Sequence, residues 1–298
     1  MGGLNGSAYT VGLVGIDGKV VASAQASSPA AVTCADASSA EVPLPVSTSD
    51  SRLYFMDAQG VVRFLAPDGD TGRATTVPIG STRRSMFAVS PDDQRIAVIV
   101  DDFTTSGAST RLYVEDLNGG GHHVEPFTES GAYTLWPIGW HGTNNLVVAK
   151  VPSCTGLTNA PYPPQELHVV DPTTAIRRFT IGGLTCLLAG PPSPAGALCD
   201  ARQTYVLNWT ATAIRSMKIP TGTEAFLSPE GDRIARETYL GTSIFGSNTF
   251  LPHVVICGWI DNSHVLAGTT GRVVDVTNGN TLSVAIQGDC GGRIPGGL

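Results

Sequence analysis

The phrase Ser-Pro-Asp-Asp-Gln-Arg-Ile-Ala-Val fills residues 90–98, and Ser-Pro-Glu-Gly-Asp-Arg-Ile-Ala-Arg fills residues 228–236. Near-identical phrases 138 residues apart in a chain of 298 mark an internal repeat, which restricts architecture more than composition does. Each phrase has the form of a strand end, a turn of small polar residues and a departing apolar strand. Pro fixes φ at the first central turn position, and Asp, Glu or Gly suits the next ones.

Looser copies fall between and around these two. Residues 47–51 turn within VSTSDSRLYFM, residues 140–144 within GWHGTNNLVVA, Ser193-Pro194 within PPSPAGALC, and residues 259–263 within GWIDNSHVLAG. The anchors are Ser47, Ser90, Trp140, Ser193, Ser228 and Trp259, spaced by 43, 50, 53, 35 and 31 residues. A four-stranded propeller blade takes about 40–45 residues. After most anchors comes a second hairpin, as in RLYVEDLNGGGHHVEPF or RVVDVTNGNTLSVAI, with Asp, Asn, Gly or Thr at its turn. Residues 95–100 (RIAVIV) and 145–149 (NLVVA) are almost continuously apolar, the mark of strands covered on both faces. Apolar residues recur nowhere at the helical period with caps at both ends, so almost no helix is expected.

The reading is all-β: one six-bladed β-propeller over residues 1–298, with seven blades as the alternative. The interval from Ser228 to Trp259 is short for four strands, and residues 9–25 (YTVGLVGIDGKVVASAQ) form a spare hairpin. That hairpin is expected to close the ring by completing a C-terminal blade. FAVSPDDQRIAVIVDD followed by STRLYVEDLNGGG resembles the WD40-like repeats of TolB-type β-propellers, in which a Ser-Pro-Asp-Gly turn joins the two inner strands. The resemblance spans most of residues 42–288, is closest at 90–121 and 228–236, and implies an envelope or extracellular setting in bacteria. It speaks to architecture, since function resides in sites and not in folds.

A net charge of −7 without a basic stripe argues against a nucleic-acid partner. The chain has no apolar run of 18 residues, so no membrane-spanning helix is expected. Its start lacks the basic and apolar regions of a signal peptide, which leaves open a leader or anchor removed upstream. The six cysteines form no CxxC pair, and their even number in a Gly-, Ser- and Thr-rich chain points to disulfides outside the cytoplasm. Cys186 and Cys199 lie equally far from the middle of one turn, opposite each other if it is a simple hairpin, and are expected to pair. Cys257 and Cys290 flank the last blade and could lock it, or one of them could reach Cys34.

The sequence assigns no catalytic residue, cofactor or metal. The six histidines show no HExxH pair, the serines no G-x-S-x-G elbow, and residues 67–72 (PDGDTG) lack the spaced acidic ligands of a calcium loop. Trp140 and Trp259 are read as wedges between blades.

In a propeller, the connections entering each innermost strand share a face with those between second and third strands. The longest connections, residues 101–110 and 151–165, are expected there. Loops beyond about 12 residues are uncommon without a purpose, and rigid scaffolds present recognition loops in this way. The candidate ligand contacts are Arg83, Arg84, Tyr133, Tyr162 and His253. The expected function is non-catalytic recognition of a protein or peptide by a secreted, periplasmic or cell-surface protein. The alternative is a propeller-type hydrolase or lyase with its site in the central pocket.

Overall fold

The computed structural model describes residues 2–5, 8–34, 40, 42–104, 107–119, 121–154, 162, 164–220, 223–247 and 249–298. Six antiparallel sheets of four strands follow one another along the chain. Blade 1 covers residues 46–76, blade 2 83–131, blade 3 133–182, blade 4 187–217, blade 5 225–252 and blade 6 258–283. Each blade is a simple meander, with its first strand at one edge and its last at the other. The first strands line the middle of a six-bladed β-propeller. The only helical element among the described residues is a 3-10 turn, Gly268–Thr270.

The apolar runs show why the sheets stack. Residues 96–100 of blade 2 are all buried. Ile96, Val98 and Val100 pack with Tyr54 and Met56 of blade 1, whereas Ala97 and Ile99 pack with Trp140 and Val147 of blade 3. Alternate side chains of one strand thus enter the two flanking interfaces, so a strand between two neighbours has no polar face.

The repeated phrase builds the same turn twice. In blade 2 the Ser90 N–H donates to the Arg95 carbonyl (2.9 Å), and the Asp93 N–H donates to the Ser90 carbonyl (3.0 Å). The Arg95 N–H donates to Ser90 Oγ (2.9 Å), whose hydroxyl reaches Asp92 (2.6 Å). In blade 5 the Ser228 N–H donates to the Arg233 carbonyl and the Gly231 N–H to the Ser228 carbonyl, both at 2.9 Å. Arg233 N–H donates to Ser228 Oγ (3.0 Å), and that hydroxyl reaches Asp232 (3.1 Å). The fourth residue is left-handed in both, Gly231 at φ 74° and Asp93 at φ 59°, a conformation Gly takes freely and Asp tolerates. Serine stands first because its buried hydroxyl satisfies a backbone donor that the turn would otherwise orphan.

The N-terminal hairpin closes the ring, but not by completing a C-terminal blade. Strands Ala8–Val14 and Val20–Ser27 pair with each other, and the former pairs with Gly2–Asn5, in a three-stranded sheet of its own. This sheet stands between blades 6 and 1. Val14 and Val20 pack with Val273 and Val284, while Tyr9 and Val11 pack with Leu53 and Phe55. The Tyr9 hydroxyl donates to the Met56 carbonyl at 2.6 Å. Blade 6 already has four strands, so the spare hairpin had no vacancy there and supplies an additional wedge.

All six cysteines are paired, as Cys34–Cys154, Cys186–Cys199 and Cys257–Cys290. The expected Cys186–Cys199 bridge forms on a shifted register: Cys199 lies opposite Leu188, with Leu187 opposite Asp200. Irregular residues between Leu188 and Ser193 lengthen the turn on one side.

Candidate functional site

The first strands of the blades enclose a central cavity of about 710 Å³. Phe87, Trp136, Trp140, Phe226 and Trp259 contribute aromatic walls, and Pro43, Pro45, Pro137, Pro191 and Pro192 narrow the space between them. Two stretches of non-blade chain define its ends. The strand end at Ser27 leads into a segment that crosses the face bearing the connections into the first strands, termed here the loop face. Arg84 holds this segment by donating to the Ala30 carbonyl (3.2 Å), Val32 packs on Phe103 and Ala108, and Cys34 bonds to Cys154 of blade 3. Pro43 and Leu44 then descend into the cavity.

The final residues run through the cavity from the loop face to the opposite face. The Gly288 N–H donates to the Gly268 carbonyl (3.1 Å) beside blade 6, and Cys290 is tied to Cys257. A Cβ on Gly291 would lie 2.6 Å from Val46, so the chain passes close along blade 1 because the residue is glycine. The Gly296 N–H then donates to the Ser49 carbonyl (2.6 Å), and the Leu298 N–H to the Trp140 carbonyl (2.7 Å). The Leu298 carbonyl also meets His141 Nδ1.

Ionisable groups along the cavity are few. Burial raises the Tyr162 hydroxyl above its usual range, and the nearby Glu224 charge adds to this. Burial, reinforced by Glu237, pushes the Glu224 carboxyl up to about 7. Burial lowers the Arg293 guanidinium, with Asp50 opposing the shift.

The five candidate contact residues separate into three environments. Tyr133 and His253 reach the loop face: Tyr133 is exposed beneath the Lys150 ammonium (4.8 Å to the ring centroid), and exposed His253 donates its N–H to the Leu240 carbonyl (2.8 Å). Arg83 is exposed but paired with Asp102 (2.8 Å). Arg84 is buried against the crossing segment, and Tyr162 is buried in the cavity wall. The stretch 101–110 is no long connection. Strands Arg95–Thr104 and Gly107–Asp116 continue through it and pair as far as Thr104 with Gly107. Of the second stretch, residues 155–161 and 163 lie outside the described residues.

The loop face also carries apolar side chains that the sequence reading did not single out. Leu184 is fully exposed on the connection into blade 4, and Leu187, the first residue of that blade, is largely exposed. Tyr239 is 94% exposed, beside exposed Leu240, on the turn between the second and third strands of blade 5. Val255 is exposed on the connection into blade 6. The available signal was local: turn 238–241 reads Thr-Tyr-Leu-Gly, where polar residues are the rule.

Several solved structures are similar to this chain at low identity. The β-propeller domain of Myceliophteria thermophila Cps50 (Swd1) matches at 12% identity and a TM-score of 0.49, over 84% of this chain and 89% of that one. BamB from Moraxella catarrhalis matches at 14% identity and a TM-score of 0.48, over 98% and 82%. Prolyl oligopeptidase B from Galerina marginata matches at 11% identity and a TM-score of 0.42, over 80% of this chain and 33% of that one. No family model and no curated protein matches the sequence.

Two buried polar clusters brace the loop-face ends of the blades. Asp101, fully buried, receives the Thr110 hydroxyl (2.7 Å) and the Thr134 hydroxyl, tying blade 2 to blade 3. Arg236 of blade 5 makes two 2.9 Å bonds to Asp200 of blade 4 and a 2.8 Å bond to the Thr223 carbonyl. Charged groups at such depth persist when paired or hydrogen-bonded, and these hold rigid the scaffold on which the rim is displayed.

Proposed function

We propose that this chain is a non-catalytic propeller that binds a protein or peptide on its loop face. The observation that carries the reading is the exposure of Leu184, Leu187, Tyr239, Leu240 and Val255 on that face, with Tyr133 and His253 among them. Large apolar side chains exposed together mark interaction surfaces, and aromatic ones anchor binding hot spots. The three disulfides support a secreted, periplasmic or cell-surface setting. The Ser-Pro turns of blades 2 and 5 support kinship with TolB-type repeats.

Selection of a displayed peptide library on the folded protein tests the proposal. Enriched peptides are expected to bind the native chain at least about tenfold more tightly than a Leu184→Ser/Tyr239→Ser variant. They should bind equally to Ile214→Ser, a change on an exposed outer strand. Peptides insensitive to the rim variant would refute a loop-face site.

A further inference from the structure

The central cavity holds a chemical asymmetry that recognition on the rim does not use. Glu224 immediately precedes the first strand of blade 5, Ala225–Leu227, and lines the cavity at its loop-face end. Among the described residues, its carboxylate has no hydrogen-bond donor or cation as a partner; the titratable groups that it senses are Glu237 and Tyr162. Of the cavity's other ionisable groups, the Tyr9 hydroxyl is bonded to Met56, Asp289 is exposed, and Arg293 is half-buried within the influence of the Asp50 charge. A half-buried carboxylate beside aromatic walls is favoured by a positive charge placed against it.

We propose that the cavity binds a small, largely apolar molecule bearing a protonated amine, with the ammonium against Glu224 and the apolar body against Trp136 and Phe226. The volume of about 710 Å³ is within the roughly 300–1,000 Å³ of small-molecule sites, which combine apolar walls with few polar groups. Aromatic faces favour the cation a second time, through their ring quadrupoles. The ligand differs from the rim's in chemistry and in place, so either site can fail without the other.

The test is calorimetric titration of the whole chain with 1-adamantylamine and with 1-adamantanol, near-isosteres that differ in charge. At pH 8 the amine is expected to bind at least about tenfold more tightly than the alcohol. That preference should shrink as the pH falls to 5.5 and the Glu224 carboxyl takes up its proton. Glu224→Gln should abolish the preference while raising, not lowering, the melting temperature at pH 8, because the charge that burial disfavours is gone. Glu224→Asp should reduce it, and Glu237→Gln should keep it while moving its pH midpoint down. Tyr239→Ser, on the rim, should leave it untouched. No binding of either compound, equal binding of both, or a preference that survives in folded Glu224→Gln overturns the proposal.

Discussion

Arg95 of blade 2 lies over the indole of Trp140 in blade 3, its guanidinium carbon 4.9 Å from the ring centroid. The pair crosses a blade interface in both directions: Arg95 donates to the Thr143 carbonyl, and Trp140 Nε1–H returns a bond to the Ala88 carbonyl at 3.1 Å. Blades 5 and 6 repeat the hydrogen bonds. Arg233 donates to the Asn262 carbonyl (2.8 Å), and Trp259 Nε1–H donates to the Phe226 carbonyl (2.9 Å). The Arg of the repeated phrase therefore reaches forward and the Trp of the next anchor reaches back, which explains why the anchor after that phrase carries Trp in both places.

Trp140→Phe and Trp259→Phe should each destabilise the fold by about 1–3 kcal/mol, because each removes a buried hydrogen bond between blades and part of the ring that fills the interface. The two residues belong to different core clusters. Their effects should therefore add within about 0.5 kcal/mol in the double variant. Urea unfolding followed by tryptophan fluorescence and circular dichroism gives the three values; strong non-additivity would show that the two interfaces communicate around the ring.

The buried Arg236–Asp200 pair joins blades 4 and 5, with side-chain exposures of 2% and 12%. Removing one partner strands the other charge, so Arg236→Met should cost about 3–5 kcal/mol. Arg236→Met/Asp200→Leu should recover much of that loss, since an apolar pair of similar volume needs no compensation. A double variant as unstable as Arg236→Met would mean that the bond to the Thr223 carbonyl, not the ion pair, holds the interface.

Asp101 governs an acid-range response. Burial raises its carboxyl from 3.8 to about 6, against the lowering effect of the Thr134 and Thr110 hydroxyls. The native state then binds this proton more tightly than the unfolded chain does. The Asp101 contribution is therefore most favourable below about pH 4 and declines as the pH rises through 6. Asp101→Asn keeps an acceptor for one threonine and offers a donor to the other, and it carries no charge. The variant should be more stable than the parent at pH 8, by at most about 3 kcal/mol, and should lose that advantage at pH 4. Melting curves across pH 4–8 measure it; a constant difference would place the Asp101 titration outside this range.

The architecture was legible because propeller blades are local. Each sheet is a meander of neighbouring strands, so Ser-Pro turns, hairpin residues and doubly apolar strands all report on contacts close in sequence. Trp140 and Trp259 could be assigned to blade interfaces for the same reason. The site was less legible because long-range chain paths decide it. Arg84 reads as a cation beside a loop, yet the crossing segment buries it through Ala30, 54 residues away. Tyr162 reads as a loop aromatic, yet it lines a cavity closed partly by residues 289–298. Strand periodicity says nothing about where such irregular segments run. The closing hairpin was recognised from its own pattern, but whether it would pair with blade 6 or stand beside it depended on how many strands that blade already had.

The Cys34–Cys154 bond should be the most stabilising of the three disulfides. It spans 120 residues, against 33 for Cys257–Cys290 and 13 for Cys186–Cys199. In the chain-entropy model, closing a loop of about 120 residues restrains the unfolded chain by about 5 kcal/mol, against about 3 kcal/mol for a loop of about 13. Paired Cys→Ser variants, Cys34/Cys154 and Cys186/Cys199, should differ in unfolding free energy by about 2 kcal/mol, with the former less stable. The former should also free the segment that crosses the loop face, because Cys34 is its covalent hold on blade 3. Limited proteolysis of that variant should cut first between residues 28 and 45, and equal cutting there in both variants would mean that Arg84 and the Val32–Phe103 contact hold the segment without the bond.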